Sequence, residues 1–169
     1  VAMLSAADGF GQSGKNILNE LAPQSGIKVV AQEEFNRTDA DMTAQVLKAK
    51  SANPDAMLIW SALPAPVVIL RAAQINKPIF TSYGAGTNDL VAQAGGAAEG
   101  LYLYSLRMLA PDSVPASDPA KAAITQLNDT YMAYYKVPAP VYAQHAYDAF
   151  IILEKALQAI KGPVTHDAI

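Results

Sequence analysis

The segment GFGQSGKN at residues 9–16 has its glycines at the spacing of a dinucleotide-binding turn. Gly9, Gly11 and Gly14 form the pattern G-x-G-x-x-G directly after an apolar run that is typical of a strand. In that motif the glycines let the backbone approach a pyrophosphate, and the N-terminus of the following helix stabilises its charge. The same segment is also close to a Walker A loop, which binds nucleotide phosphates and Mg²⁺.

Neighbouring residues argue against both phosphate-binding interpretations. Asn16 follows Lys15, so the hydroxyl with which a Walker A loop binds Mg²⁺ is missing. Asp8 places a carboxylate beside the pyrophosphate position, and Phe10 is bulky where the backbone must come close. A nucleotide-dependent oxidoreductase nevertheless stays open as an alternative function, because the glycines follow a strand and open a helix.

A third interpretation is a glycine-rich strand-to-helix turn. In this interpretation the glycines supply positive φ angles and Lys15 is solvated on the helix surface. It leaves Phe10 unexplained, because a large apolar side chain on an exposed loop needs a core or a ligand to cover it.

The remaining reactive residue types do not form a catalytic set. The chain has no cysteine, which excludes a thiol nucleophile and a Cys-ligated zinc site. His145 and His166 are far apart and lack the spacing of a metal-binding helix, and Ser13 is not in a nucleophile elbow. We therefore predict no enzymatic activity, no cofactor and no metal ion.

Composition excludes several further classes of protein. A hydrophobic content of 51% and a charged content of 16% are typical of a globular domain rather than a disordered chain. The net charge is -3, and the scattered Lys and Arg residues give no basic surface for nucleic acid. No apolar run approaches the ~20 residues that a spanning helix needs. We predict neither nucleic-acid binding nor direct membrane insertion.

Apolar runs and helical patterns alternate through the first two thirds of the chain. The strand-like runs are at residues 1–5, 27–35, 56–60, 78–82 and 101–106. The helical patterns between them are at residues 12–25, 41–52, 64–75 and about 87–94. This alternation predicts an α/β fold, a doubly wound parallel sheet with right-handed crossovers and helices on both faces.

The last third of the chain has a different character. Residues 108–118 are rich in Pro, Ser and Asp and are typical of a linker. Two helices are predicted at 119–136 and 141–161, and the second has an apolar stripe at helical spacing. Because no strands accompany them, we expect these helices to pack on a sheet that this chain does not contain. Both ends of the chain look truncated.

Ligands of an open parallel sheet bind beyond the carboxyl ends of its strands. The loops at those positions here are ADGFGQ, WSALPAP and SYGAGTN. They carry apolar or stacking side chains and hydrogen-bonding groups, namely Phe10, Trp60, Leu63 and Tyr83, and Gln12, Ser61 and Ser82. Such a set predicts a pocket for a small polar or aromatic solute.

Four segments, in order, resemble the second half of type I periplasmic solute-binding proteins, in particular the leucine/isoleucine/valine-binding receptors of ABC transporters. The segments are VAMLSAADGFGQSGKN, DADMTAQVLKAKSANPDAMLIW, AGGAAEGLYLYS and YAQHAYDAFIILEKAL. The resemblance implies two doubly wound lobes that are joined by hinge strands and close over a solute. Residues 1–107 would form the second lobe and 108–118 the hinge, and the helices of 119–169 would return to a missing first lobe.

The resemblance also implies a function. The implied function is capture of a small solute outside the cytoplasm by a receptor that serves the membrane permease of an ABC importer. The implied solute is a small amino acid, or a related carboxylate or aromatic acid. The implied location is the periplasm, or the outer surface of a Gram-positive cell with a lipid anchor. A ligand-sensing receptor domain of the same family is a further alternative.

Site residues can be carried over one by one from the resemblance. Phe10 matches an aromatic residue that usually stands in this turn, and Tyr83 and Gly84 fall where amino-acid receptors place an acidic residue for the α-ammonium group. The absence of a carboxylate there argues against a standard amino acid as the solute. The remaining implied contacts are Ala62 or Leu63 and, on the returning segment, Tyr142.

Overall fold

The structure, a computed structural model, describes residues 1–63, 67, 70–71 and 74–167. The chain divides into two compact units, Val1–Ser105 and Leu106–Ile169. Each unit is described by itself.

The first unit is built on a parallel sheet of five strands. The strands are β1 (Ala2–Ala6), β2 (Ala31–Phe35), β3 (Met57–Trp60), β4 (Ile79–Thr81) and β5 (Leu101–Leu103). Their spatial order is β2-β1-β3-β4-β5, and every neighbouring pair is parallel. The predicted α/β fold with a parallel sheet is confirmed, although β2 begins at Ala31 and β5 ends at Leu103, inside the predicted runs.

Strand β1 lies in the interior of the sheet, which explains its nearly continuous apolar sequence. All five of its residues are buried, as expected for a parallel strand that is covered on both faces. Leu4 of β1 pairs with Glu33 of β2 on one side and with Ile59 of β3 on the other. This register brings the ends of β1, β2 and β3 to one edge of the sheet.

Three helices of the first unit have described bounds: α1 (Gly9–Leu21), α2 (Thr43–Ser51) and α3 (Asn88–Ala94). Short 3₁₀ turns follow α1, β4 and α3, at Pro23–Ser25, Tyr83–Ala85 and Gly95–Ala98. The helix predicted at residues 64–75 lies largely outside the described residues. Two of its residues that are described, Val67 and Leu70, are fully buried in the core.

The start of α1 differs from the sequence prediction. The helix begins at Gly9 rather than Gln12, because the Asp8 carboxylate accepts a hydrogen bond from the backbone N–H of Gly11 at 2.8 Å and caps it. Gly9, Gly11 and Gly14 are therefore helical residues with negative φ, and the predicted positive φ angles at these glycines are wrong.

The main core lies between the sheet and the helices. Its largest fully buried side chains in this unit are Phe35, Met3, Leu4, Met42, Met57, Ile59, Leu70 and Ile79. A second feature is an exposed pair of rings on β4 and β5. Phe80 is 43% exposed and Tyr102 58% exposed, and their ring centroids lie 4.8 Å apart in a stacked arrangement.

The second unit contains α4 (Lys121–Tyr135) and α5 (Val141–Ala159), preceded by 3₁₀ turns at Arg107–Leu109 and Pro111–Ser113. Both predicted helices are confirmed within two residues at each end. A small core joins these elements, with Met108, Val114, Ile124 and Ala139 as its buried members. The described residues of this unit contain no strand.

Much of the predicted apolar stripe on α5 is exposed. Phe150 is 72% exposed, Leu153 41% and Leu157 38%. An apolar helix face normally packs against another element of the protein.

Candidate functional site

The loops that follow β1, β3 and β4 carry the candidate site of the first unit. These three strands are neighbours in the sheet and run in the same direction, so their carboxyl ends meet at one edge. The topology therefore brings the three predicted strand-end loops together.

Phe10 occupies the first turn of α1, directly after the capping residue. Asp8 holds this turn through its bond to Gly11 and also lies 3.6 Å from the guanidinium of Arg37. Phe10 is thus fixed on a capped helix rather than on an exposed loop tip.

An aromatic cluster, defined here as Phe10, Trp60 and Tyr83, forms where the three loops meet. The ring centroids of Phe10 and Trp60 lie 5.7 Å apart at an interplanar angle of 31°. The Tyr83 ring meets Phe10 edge to face at 5.9 Å and 89°. Tyr83 is 39% exposed, whereas Phe10 and Trp60 are partly buried. Tyr83 is thus the most exposed ring of the cluster, and Phe10 contacts both Tyr83 and Trp60.

Small residues surround the Phe10 ring. A Cβ atom built on Gly84 would lie 3.3 Å from Cε1 of Phe10 and 3.4 Å from Cβ of Ala62. Four predicted site residues, Phe10, Ala62, Tyr83 and Gly84, therefore lie in direct proximity. A bulkier side chain at Gly84 would press on the Phe10 ring.

Ser61 connects two of the loops from within the protein. It is 1% exposed, and its hydroxyl oxygen accepts a hydrogen bond from the backbone N–H of Leu63 at 3.0 Å. Its carbonyl oxygen accepts a bond from the Ser82 hydroxyl at 2.8 Å. Leu63 packs against the main core. In this conformation Ser61 and Leu63 shape the loops, and their role as solute contacts stays a prediction.

Gln12 lies one turn into α1 beside an open cavity of about 240 Å³, whose lining also includes Asp8 and Glu34. The Gln12 side chain donates to Asn16 Oδ1 at 2.8 Å. Lys15 forms an ion pair with Glu34 at 2.6 Å, so it is tied to β2 rather than simply solvated. These groups lie at the β2 side of the same edge.

Tyr142 belongs to the second unit. It lies in the first turn of α5, is 47% exposed, and stacks on the ring of His145 at a centroid distance of 6.2 Å. Its contact with a solute stays a prediction.

The glycines of the opening segment are explained by close packing. A Cβ atom on Gly11 would lie 1.7 Å from the carbonyl oxygen of Ala6, and one on Gly14 would lie 2.4 Å from atoms of the Trp60 indole. The anion position at the N-terminus of α1 is taken by the carboxylate of Asp8. The chain thus binds its own carboxylate where a dinucleotide fold binds a pyrophosphate.

The described part of the chain shows neither a metal-binding cluster nor a membrane-spanning helix. No cluster of three or more His, Asp or Glu side chains is arranged to hold a metal ion there. Every helix described is too short or too polar to span a bilayer.

Sequence reasoning missed the contact of Gly14 with Trp60 and the capping role of Asp8. The cap could have been predicted from the sequence, because an Asp directly before a helical pattern is a common N-cap residue. The Gly14 contact could not, since the spacing of residues in one helix does not say which side chain of a neighbouring strand lies beneath it.

The fold agrees with comparisons with known proteins. A family model described as periplasmic binding protein matches residues 1–169. An extracellular ligand-binding receptor from Rhodopseudomonas palustris HaA2 is similar, with a TM-score of 0.84 and 32% identity over 95% of this chain and 47% of its own. No curated protein sequence gives a significant match.

Two more distant solved structures share the fold. A leucine-binding protein from Thermotoga maritima has a TM-score of 0.71 and 23% identity over 93% of this chain and 44% of its own. A solute-binding protein of an ABC transporter from R. palustris, in complex with benzoate, has a TM-score of 0.73 and 17% identity over 94% of this chain and 42% of its own. This chain spans less than half the length of each of these structures.

The parallel sheet, the strand-end loops and the match of the family model over all 169 residues lead to one conclusion. This chain belongs to the periplasmic binding protein family.

Proposed function

We propose that the chain is the second lobe, with the helices that return to the first lobe, of a two-lobed receptor that binds a small solute and delivers it to an ABC permease. The observation that carries the proposal is the aromatic cluster, because it places a partly exposed ring at the carboxyl edge of the sheet. Family membership and the receptor from R. palustris HaA2 support the same function.

The division of the chain follows from this proposal. Residues 1–107 form most of the second lobe, 108–118 the hinge, and 119–169 the helices that pack on the first lobe. The exposed side chains of Phe150, Leu153 and Leu157 support this assignment, because they give α5 an apolar face for that lobe. The length of the solved relatives, of which this chain covers less than half, supports a first lobe elsewhere in the protein.

We infer that the solute is a small carboxylate with an apolar or aromatic body rather than a standard α-amino acid. The ring of Tyr83 and the edge of Phe10 form an uncharged contact surface. By the family resemblance, Tyr83 and Gly84 fall where amino-acid receptors place an acidic residue for the α-ammonium group, and the Asp8 carboxylate is engaged by Gly11 and Arg37. Among solved relatives, one binds benzoate and another is a leucine-binding protein.

The proposed location is outside the cytoplasm, in the periplasm or, with a lipid anchor, on the surface of a Gram-positive cell. Membership of the periplasmic binding protein family and the similarity to an extracellular ligand-binding receptor support an extracytoplasmic location. The permease is the proposed protein partner.

Calorimetric titration of the full-length protein tests the function. We expect saturable binding of benzoate or a related small acid, weaker binding of leucine, and no binding of NADH. Phe10→Ala should weaken binding of the acid about tenfold or more, since it removes an aromatic contact of roughly 1.5–3 kcal/mol. Micromolar binding of NADH without binding of any acid would instead support the oxidoreductase.

A further inference from the structure

Trp60 lies directly beneath helix α1, and Gly14 is the point of contact. A Cβ atom on Gly14 would lie 2.4 Å from Cδ2 and Cγ of the indole and 2.5 Å from Cδ1. Real Cβ atoms do not approach other atoms this closely, so only glycine allows α1 and the ring to keep this separation.

The same indole contacts α1 a second time, through Phe10. Phe10 and Gly14 are four residues apart and therefore lie on one face of the helix. The centroid of the Phe10 ring is 5.7 Å from that of the indole, and the Phe10 ring also meets Tyr83 in an edge-to-face arrangement. The Phe10 ring thus contacts both the indole and Tyr83, so a shift of the indole would act on the ring that meets Tyr83.

Stability alone does not explain an indole at this position. The Nε1–H of Trp60 is buried and has no hydrogen-bond partner among the described residues. A buried donor without a partner destabilises the folded state, and a phenyl ring would fill part of the same space without that cost. What the indole adds is its size between β3 and the first two turns of α1.

We propose that Gly14 and Trp60 are positioning residues for solute binding. Together they hold the Phe10 ring in the position from which it and Tyr83 both contact the solute. The proposal rests on the proposed function, since it assigns these residues to the same site. Neither residue needs to touch the solute, because Trp60 acts through Phe10 and Gly14 acts through Trp60.

Gly14→Ala in the full-length protein tests the proposal, with benzoate as the probe. The added methyl group must displace the indole and hence Phe10, so we expect the dissociation constant to rise about tenfold or more. Gly9→Ala is the matched control, because a Cβ on Gly9 meets nothing within 4 Å although it lies on the same helix. We expect the affinity of the control to stay within about twofold of the wild type.

A double variant separates positioning from general damage to the fold. Trp60→Phe in the Gly14→Ala background makes room for the new methyl group, so we expect it to recover part of the lost affinity. The near-ultraviolet circular dichroism of Trp60, isolated by subtracting the Trp60→Phe spectrum, should change in Gly14→Ala and stay unchanged in Gly9→Ala.

The outcomes distinguish this proposal from the function on which it rests. If wild-type protein binds benzoate and Gly14→Ala lowers the melting temperature but keeps its affinity within twofold, the positioning role is contradicted and the receptor function stands. If wild-type protein binds none of benzoate, related acids or leucine, the receptor function fails, and the positioning role fails with it. Loss of affinity in Gly14→Ala with recovery in the double variant supports both.

Discussion

Single residues in the first unit are constrained mainly by the space around them. Gly11 and Gly14 allow α1 to lie against Ala6 and Trp60, and neither has a positive φ angle. Gly84 makes room for the Phe10 ring in the same way. Glycine is therefore required at these positions because neighbouring elements approach closely. Gly26 has a different role, because its φ of 66° forms the left-handed turn that ends a 3₁₀ helix.

Thr81 has a buried hydroxyl group that forms no hydrogen bond with the described residues. It is 5% exposed, and its Oγ1 has no hydrogen-bond partner among the described residues. Because the hydroxyl is buried without a partner, we expect Thr81→Val, which preserves the shape, to raise the free energy of unfolding by up to about 1 kcal/mol. Urea denaturation measures the change. A loss of stability of similar size would mean that the hydroxyl is satisfied, for example by a buried water molecule.

Asp41 makes the stability of the first unit depend on pH. Hydrogen bonds from the side chain and then the backbone N–H of Thr43 lower the pKa of Asp41 below its ordinary value of 3.8. A carboxyl group with a lowered folded-state pKa stabilises the protein above its unfolded-state pKa, and this contribution is lost as the pH falls through the folded-state pKa.

We therefore expect Asp41→Ala to have a lower urea midpoint than the wild type at about pH 7. The two midpoints should converge once the pH lies well below 3.8, where Asp41 is protonated in both folded and unfolded protein. A difference that persists unchanged at low pH would show that Asp41 acts through something other than its charge.

Among the helices and strands, α1 connects the stability of the fold to the site. Its capping residue, Asp8, directly precedes the turn that holds Phe10. Asp8→Ala should lower the free energy of unfolding by about 1 kcal/mol, typical of a lost N-cap, and should also weaken solute binding because the first turn frays. Asp8→Asn is the control, since it keeps the capping oxygen and removes the charge facing Arg37. Equal losses in both variants would assign the effect to the ion pair instead.

Most elements of the first unit could be predicted from the sequence, because their signals are local. Alternating strand and helix patterns predict parallel pairing, and α3 (Asn88–Ala94) lies within its predicted range of about 87–94. The start of α1 was predicted incorrectly because glycines are common in turns, and the Asp8 cap outweighed that tendency. Local signals of this kind do not reveal which glycines face a neighbouring strand.

The candidate site was predictable in outline only. Strand order brings the loops after β1, β3 and β4 to one edge, so the meeting of Phe10, Ala62 and Tyr83 follows from topology. The burial of Ser61 and the packing of the Trp60 indole against α1 depend on side-chain contacts between elements that are distant in sequence. No periodicity along the chain encodes those contacts.

For the whole molecule, the proposed two-lobed architecture predicts that residues 1–169 alone bind their solute poorly. Only one wall of the proposed cleft is present, so much of the solute surface stays in water. We expect benzoate to bind these residues about a hundredfold more weakly than it binds the full-length protein, a loss of roughly 2.7 kcal/mol. Calorimetry on the two preparations measures the ratio, and equal affinities would contradict the two-lobed site.

The stacked rings of Phe80 and Tyr102 have a further consequence for the behaviour of these residues in solution. β5 is the last strand in the sheet order, and its Tyr102 ring is more than half exposed beside Phe80. Exposed apolar rings side by side on neighbouring strands form an apolar patch through which copies of a chain can associate. We therefore expect residues 1–169 to associate as their concentration rises, so a preparation of them is best handled dilute.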